Sequence, residues 1–141
     1  MTIVIRKLTS IESLKSILEG VDLNTSLPSL DELIELSKLK KTNPLVYHAS
    51  DDQTTYAAAI FVFEKRQIHK VSLNTFSLLG HEFFDYNFFF CAKSIYSNFL
   101  NFISLDAKKL NADTIILENV LLDADEPDFF ERQKYITLML I

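Results

Sequence analysis

The chain has 141 residues, 48% of them hydrophobic, and a formal net charge of −5. That is the size of one domain and enough apolar material for one core, so neither disulfide nor metal is needed to staple it. The acidic balance and the small, scattered groups of basic residues (Arg6-Lys7, Lys38-Lys40-Lys41, Lys65-Arg66) exclude a broad electrostatic grip on nucleic acid and a polybasic membrane anchor.

Thr2 to Leu8 begins β-branched and reads as a strand. Thr9-Ser10-Ile11-Glu12 has the form of a capping box, and Ile11, Leu14, Ile17 and Leu18 recur at helical spacing until Gly20. A polar stretch reaches Pro28. Ser29-Leu30-Asp31-Glu32 opens a second helix carrying Leu30, Leu33 and Ile34, with Leu36 or Ser37 completing the stripe, and Lys38, Lys40 and Lys41 suit the negative end of its dipole. Three strand-like runs follow: Leu45 to Ala49, Thr54 to Glu64 and Ile68 to Leu79. Turns are expected at Asp51-Asp52-Gln53 and Lys65-Arg66-Gln67, and connections this short make the three an antiparallel meander.

Gly80 to Ala92 is aromatic-rich and has no clear period. Ser94 is positioned to cap a long helix running to about Asn111, with Phe99, Phe102, Ile103 and Ala107 on its apolar face. Asp113 to Leu122 reads as a strand, Asp123 to Lys134 as an acidic segment starting a short helix near Pro127, and Tyr135 to Ile141 as a final strand. The expected class is therefore α+β, a mixed, mainly antiparallel sheet flanked by helices in the order β-α-α-β-β-β-α-β-α-β. An apolar end to the chain, Ile136 to Ile141, implies burial in the sheet or pairing with something outside it.

Candidate chemistry is sparse. With two glycines in the whole chain, Gly20 and Gly80, far apart, no phosphate-cradling loop of closely spaced glycines can form. His48, His69 and His81 lack the spacing of metal ligands, so no metal site is expected, and His48 and His69 are expected on the exposed sides of their strands. Asp123, Asp125, Glu126, Asp128 and Glu131 lack the glycine of a calcium loop and read as a solvated helix start. Cys91, in Phe88-Phe89-Phe90-Cys91-Ala92, reads as a buried apolar thiol. A single cysteine, and the arrival of Arg6 and Lys7 before any apolar run of secretory length, point to the cytoplasm. No run reaches the ~20 apolar residues of a membrane helix. Six aromatics in residues 83–90 suggest core packing first and a hydrophobic interface second. His81, Asp85 and Tyr86 are the substrate-binding candidates, and no catalytic residue can be named.

The order of elements resembles the GNAT acetyltransferase fold. Leu78-Leu79-Gly80, then Asp85-Tyr86, an amphipathic helix and Asp113-Thr114-Ile115-Ile116-Leu117 are similar to the first half of cellulose-biosynthesis-type GNAT proteins, relatives of the tandem Fem-type aminoacyl transferases. The resemblance implies a pocket beside a splayed pair of central strands, and a donor pyrophosphate held on the turn after the fourth strand by an [RQ]-x-x-G-x-[GA] signature. Here Gly80-His81-Glu82-Phe83-Phe84-Asp85-Tyr86 stands in its place, with one glycine and two carboxylates that would repel the anion. No cofactor is then expected, acetyl-CoA being possible only if that assignment of residues 80–86 is wrong. The chain would be a single GNAT-like domain over 1–141, or half of a tandem-domain protein, contributing acceptor or docking surface. The alternative is a stand-alone adaptor that uses its aromatic segment and last strand to hold a protein partner or a second copy.

Overall fold

A computed structural model describes residues 2–120 and the backbone of residues 137–140. Its elements are β1 (Val4–Leu8), α1 (Ile11–Ile17), α2 (Leu30–Lys40), β2 (Leu45–Ser50), β3 (Thr55–Ile68), β4 (Val71–Leu78), β5 (Phe89–Cys91), α3 (Tyr96–Lys109, entered through a 3₁₀ turn at Lys93–Ile95), β6 (Thr114–Leu117) and β7 (Thr137–Leu140). The sheet order is β1-β2-β3-β4-β6-β7, with β5 also on β3. Every pairing is antiparallel except β4 with β6. The α+β class and the central meander are as expected. The acidic segment Asp123 to Lys134 and its short helix lie outside the described residues.

Strand alternation builds two cores. Ala57, Ala59 and Phe61 of β3 face α3, where Phe99, Ile103 and Ala107 pack on Tyr47, Phe76 and Ile115. Ala58, Ile60 and Val62 face the other way, under Ile11 and Leu14 of α1 and Leu30 and Leu33 of α2. The three consecutive alanines let helices approach both faces. Tyr47 is fully buried and its hydroxyl donates to Asp106 of α3, which also pairs with Lys7 of β1 at 2.9 Å. Burial works against the charge of Asp106, but the Tyr47 hydroxyl and Lys7 outweigh it and hold the carboxyl below its ordinary range.

Four local expectations are corrected. The first cap is Ser10, one residue later than Thr9: its backbone is extended and its hydroxyl accepts from the Ser13 N–H at 3.1 Å. The turn expected at Lys65 to Gln67 is strand. β3 runs on to Ile68 and reverses through His69 and Lys70, both at positive φ (51° and 68°), as a two-residue hairpin with the native strand twist requires. Polar residues there mark an exposed arm of the sheet, not its end. Ser94 caps nothing, because the 3₁₀ turn carries the chain into α3 and places buried Ile95 at the cap position. Finally, His48 is 2% exposed, not on an open face. It sits between Arg6 and Ala58 in the middle of three strands, 3.2 Å from Thr55 Oγ1. Burial, then Arg6, push its pKa down. His69 is exposed, but in the turn.

Candidate functional site

The parallel pairing of β4 and β6 ends at Ser77 with Ile116, one residue before each strand ends. Leu79 stays with β3, its N–H donating to Ile60 O at 2.9 Å. On the other side, the end of β6 is met by Asn87: its backbone N–H donates to Asn119 O at 3.0 Å and its Nδ2 to Glu118 O at 2.7 Å. Asn87 is fully buried. Along β3, β5 takes over where β4 stops, pairing Phe89 with Ala59 and Cys91 with Ala57. Beyond the β4–β6 pairing, β3 and the residues after β6 are thus met by the chain's own loop, residues 79–88, and by β5.

Gly80 makes the turn that launches this loop. Its φ is +80°, and a Cβ built on it would lie 2.6 Å from Phe84 Cε2 and 2.9 Å from Leu36 Cδ2. Only glycine fits both the backbone and the space. The turn is closed by His81 N–H to Leu78 O at 3.1 Å and Phe83 N–H to Gly80 O at 2.9 Å. It does not lead into a helix: α3 starts at Tyr96, after β5, so residues 80–86 present no helix N-terminus to an anion.

The turn delivers His81 into a half-buried polar cluster. The alternation that puts Ala58, Ile60 and Val62 under α1 and α2 continues to Glu64 and Arg66, beyond those helices. His81 Nε2 lies 2.7 Å from Glu64 Oε1 and donates to it, while Nδ1 faces Glu118 Oε1 at 3.6 Å. Arg66 donates to the same Glu118 carboxylate and, at 3.3 Å, to Ser77 Oγ, which lies 3.0 Å from Thr75 Oγ1. The bond from His81 holds the Glu64 carboxyl below its ordinary range against the opposing effect of burial. Nε2 is held by Glu64, with Glu82 Oε1 further off at 3.7 Å, while Nδ1 makes only the longer approach to Glu118. Among the described residues no three His, Cys, Asp or Glu side chains gather as a metal site. The cluster cross-links the ends of β3, β4 and β6.

Asp85 is exposed on the following loop and Tyr86 is half-buried beside it. Of the aromatic run, Phe88 and Phe89 are buried on opposite faces of the sheet, whereas Phe83 is 61% exposed. The Cys91 thiol is pushed up to about 12 by burial, so it is a packed side chain and no nucleophile at neutral pH. Ending the strand at Glu64 hides Arg66, and nothing local ties either residue to Glu118, 52 residues beyond Arg66. The i, i+2 polar pair on a continuing strand was the signal that could have found them.

Two of the concavities among the described residues flank α2. One, of about 810 Å³ between α1, α2 and the loop joining them, has a mixed lining and carries a Lys15–Asp31 ion pair at 2.6 Å. The other, of about 470 Å³, lies between α2 and the Gly80 turn and is floored by Leu36, Leu39, Phe83 and Phe84.

No protein-family model matches the chain, and no curated protein does. Among solved structures it is similar to a conserved protein of unknown function from Enterococcus faecalis V583, described as a probable N-acyltransferase. The identity is 11%, the TM-score 0.47, and the match covers 93% of this chain. The chain spans about 31% of that protein's length. Among the described residues no helix is long and apolar enough to cross a membrane.

Proposed function

We propose that this chain is a GNAT-like domain related to N-acyltransferases whose donor groove is closed from within, and that it serves as a docking or acceptor surface for a catalytic partner or a second domain. The observation that carries the reading is that the β4–β6 pairing ends at Ser77 and Ile116 and that Asn87 bonds the backbone just beyond β6. In a working acyltransferase of this fold, that place beside the ends of β4 and β6 is where the donor would be expected to lie. Here the edge of β6 is met by Asn87 and the edge of β3 by β5, so a thioester arm finds neither backbone group free at those positions. The turn that would hold the pyrophosphate supplies Asp85 and a Lys40-paired Glu82 instead of a run of N–H groups, and the Asp85 carboxylate, unshared among the described residues, would repel it.

The test is calorimetric titration of the folded chain with acetyl-CoA, its folding certified by a cooperative urea transition. No saturable heat is expected up to a millimolar concentration of acetyl-CoA. Saturable binding with a micromolar Kd would overturn the reading and make the chain an acetyltransferase candidate in its own right.

A further inference from the structure

We propose that β1 is an edge strand released by acid, with His48 as the group that takes up the proton: the charged imidazole has no acceptor for its second N–H in the closed sheet and meets Arg6 beside it, and detachment of β1 from β2 lets water reach the ring.

The geometry makes that proton costly. Arg6, His48 and Ala58 form one rung across β1, β2 and β3, on the face that α1 and α2 cover. The His48 Nε2 lies 3.2 Å from Thr55 Oγ1, and its Nδ1 is buried with no hydrogen-bond partner among the described residues. A neutral ring tolerates this, because one nitrogen carries the proton and the other only a lone pair. A charged ring carries N–H on both, so one is left buried and unpaired at the cost of its lost hydration. Nothing nearby compensates. Thr55 and Ala58 of β3, Ser50 of β2 and Phe90 of β5, which pairs with Ala58, carry no charge, and α1 and α2 turn apolar side chains to this face. Among the described residues the charge that bears on His48 is Arg6, a cation, and it adds to the effect of burial.

β1 is the element able to give way. It ends the sheet order and, among the described residues, pairs with β2 alone. None of its five residues is fully buried, so its release exposes little apolar surface, whereas release of β2 or β3 would open both cores. Besides the ladder it is held by half-buried Ile5 and Leu8 and by the Lys7–Asp106 pair, which lies on the face opposite Arg6. That pair keeps its charges where an imidazole titrates, since the Asp106 carboxyl is held below its ordinary range. The sign follows from the lowered value of His48. With β1 closed the ring binds its proton only below the ordinary ~6.5, and with β1 released it returns towards that value. The hold on β1 is therefore full above pH ~6.5 and weakens as pH falls below it. For a ring kept neutral in the closed sheet, the balance shifts about 10-fold towards release between pH 7.5 and 5.5.

The test is amide hydrogen exchange of the intact chain, corrected for the intrinsic pH dependence of exchange and read over residues 4–8 of β1 and 57–61 of β3. Protection of residues 4–8 is expected to fall about 10-fold between pH 7.5 and 5.5. It is expected to respond little to low urea at either pH, because a local opening exposes little surface, while residues 57–61 exchange more slowly and with a steep urea dependence. His48→Gln is expected to abolish the fall with pH. Arg6→Gln, at an exposed position, is expected to cut it to less than ~5-fold, and it serves where His48→Gln does not fold. Protection of residues 4–8 that stays within about twofold across this range would overturn the proposal. So would a fall that persists in His48→Gln or is undiminished in Arg6→Gln. A urea dependence in β1 as steep as that in β3 would also overturn it, because the whole domain would then be opening.

Discussion

Replacing each of the two glycines by alanine separates backbone strain from steric packing. Gly20 and Gly80 have nearly the same φ, +82° and +80°, but a Cβ at Gly20 meets nothing within 4 Å, whereas at Gly80 it meets Phe84 at 2.6 Å and Leu36 at 2.9 Å. Holding alanine in left-handed backbone costs about 1–2 kcal/mol. Alanine recovers ~0.4–1 kcal/mol by restricting the unfolded chain. Gly20→Ala should therefore destabilise by roughly 0.5–1 kcal/mol. Gly80→Ala carries the same terms plus an overpacking cost of about 1 kcal/mol, the low end of the usual range, because the Phe84 ring and the Leu36 methyl must shift. The expected difference between the two variants is that last term, read as ΔΔG in urea unfolding with an unchanged m-value. Adding Phe84→Ala should shrink the penalty at position 80 while leaving the penalty at position 20 alone, since only the first pair is in contact. Equal costs for the two glycines, or no coupling to Phe84, would refute the claim that Gly80 is kept for the floor of the groove.

Other expectations follow from single groups. Glu64 has its folded pKa lowered, so its contribution is present above the ordinary glutamate value near ~4.3 and is lost as pH falls through the lowered one. Glu64→Gln should flatten the fall of Tm between about pH 4.5 and 3, and an unaltered acid limb would show that the His81 bond contributes nothing in solution. The hairpin tip places His69 and Lys70 at positive φ, where Asn and Gly are better tolerated. The double change His69→Asn, Lys70→Gly should raise stability by about 1 kcal/mol in urea melts, and a loss would argue against the two-residue turn. Cys91 should be silent to a thiol reagent at pH 8 and react fully in urea. Rapid labelling of the native protein would contradict its burial.

The elements that could be read from the chain were those whose signal is local. Ser29 caps α2 by accepting from the Glu32 N–H at 3.1 Å, as its pattern says, and the apolar spacing of α3 follows its buried face. What could not be read depends on partners distant in sequence. Residues 65–67 look like a turn because they are polar, yet Arg66 is drawn to Glu118, 52 residues on. His48 looks exposed because it is polar, yet β1 and β3 flank it on both sides. β5 could not be seen at all: three residues of an aromatic run become a strand only because β4 leaves the edge of β3 open at Ala57 to Ala59. The aromatic run itself divides by position, with Phe88 and Phe89 drawn into the two cores and Phe83 left outside.

The shortage of glycine ties these features together. A loop that closes around phosphate must bring several N–H groups to one point, and successive side chains prevent that. After β4 the tight turn is made at Gly80, and the next residues must then find places for their side chains. Asn87 finds one against β6, Phe88 and Phe89 find theirs in the cores, and Phe84 takes the space that Gly80 leaves empty. The same loop that brings Asn87 against β6 leaves Phe83 exposed beside Leu39. The donor groove proposed to be closed and the exposed apolar groove then share one loop, so widening the first by mutation should also disturb the second.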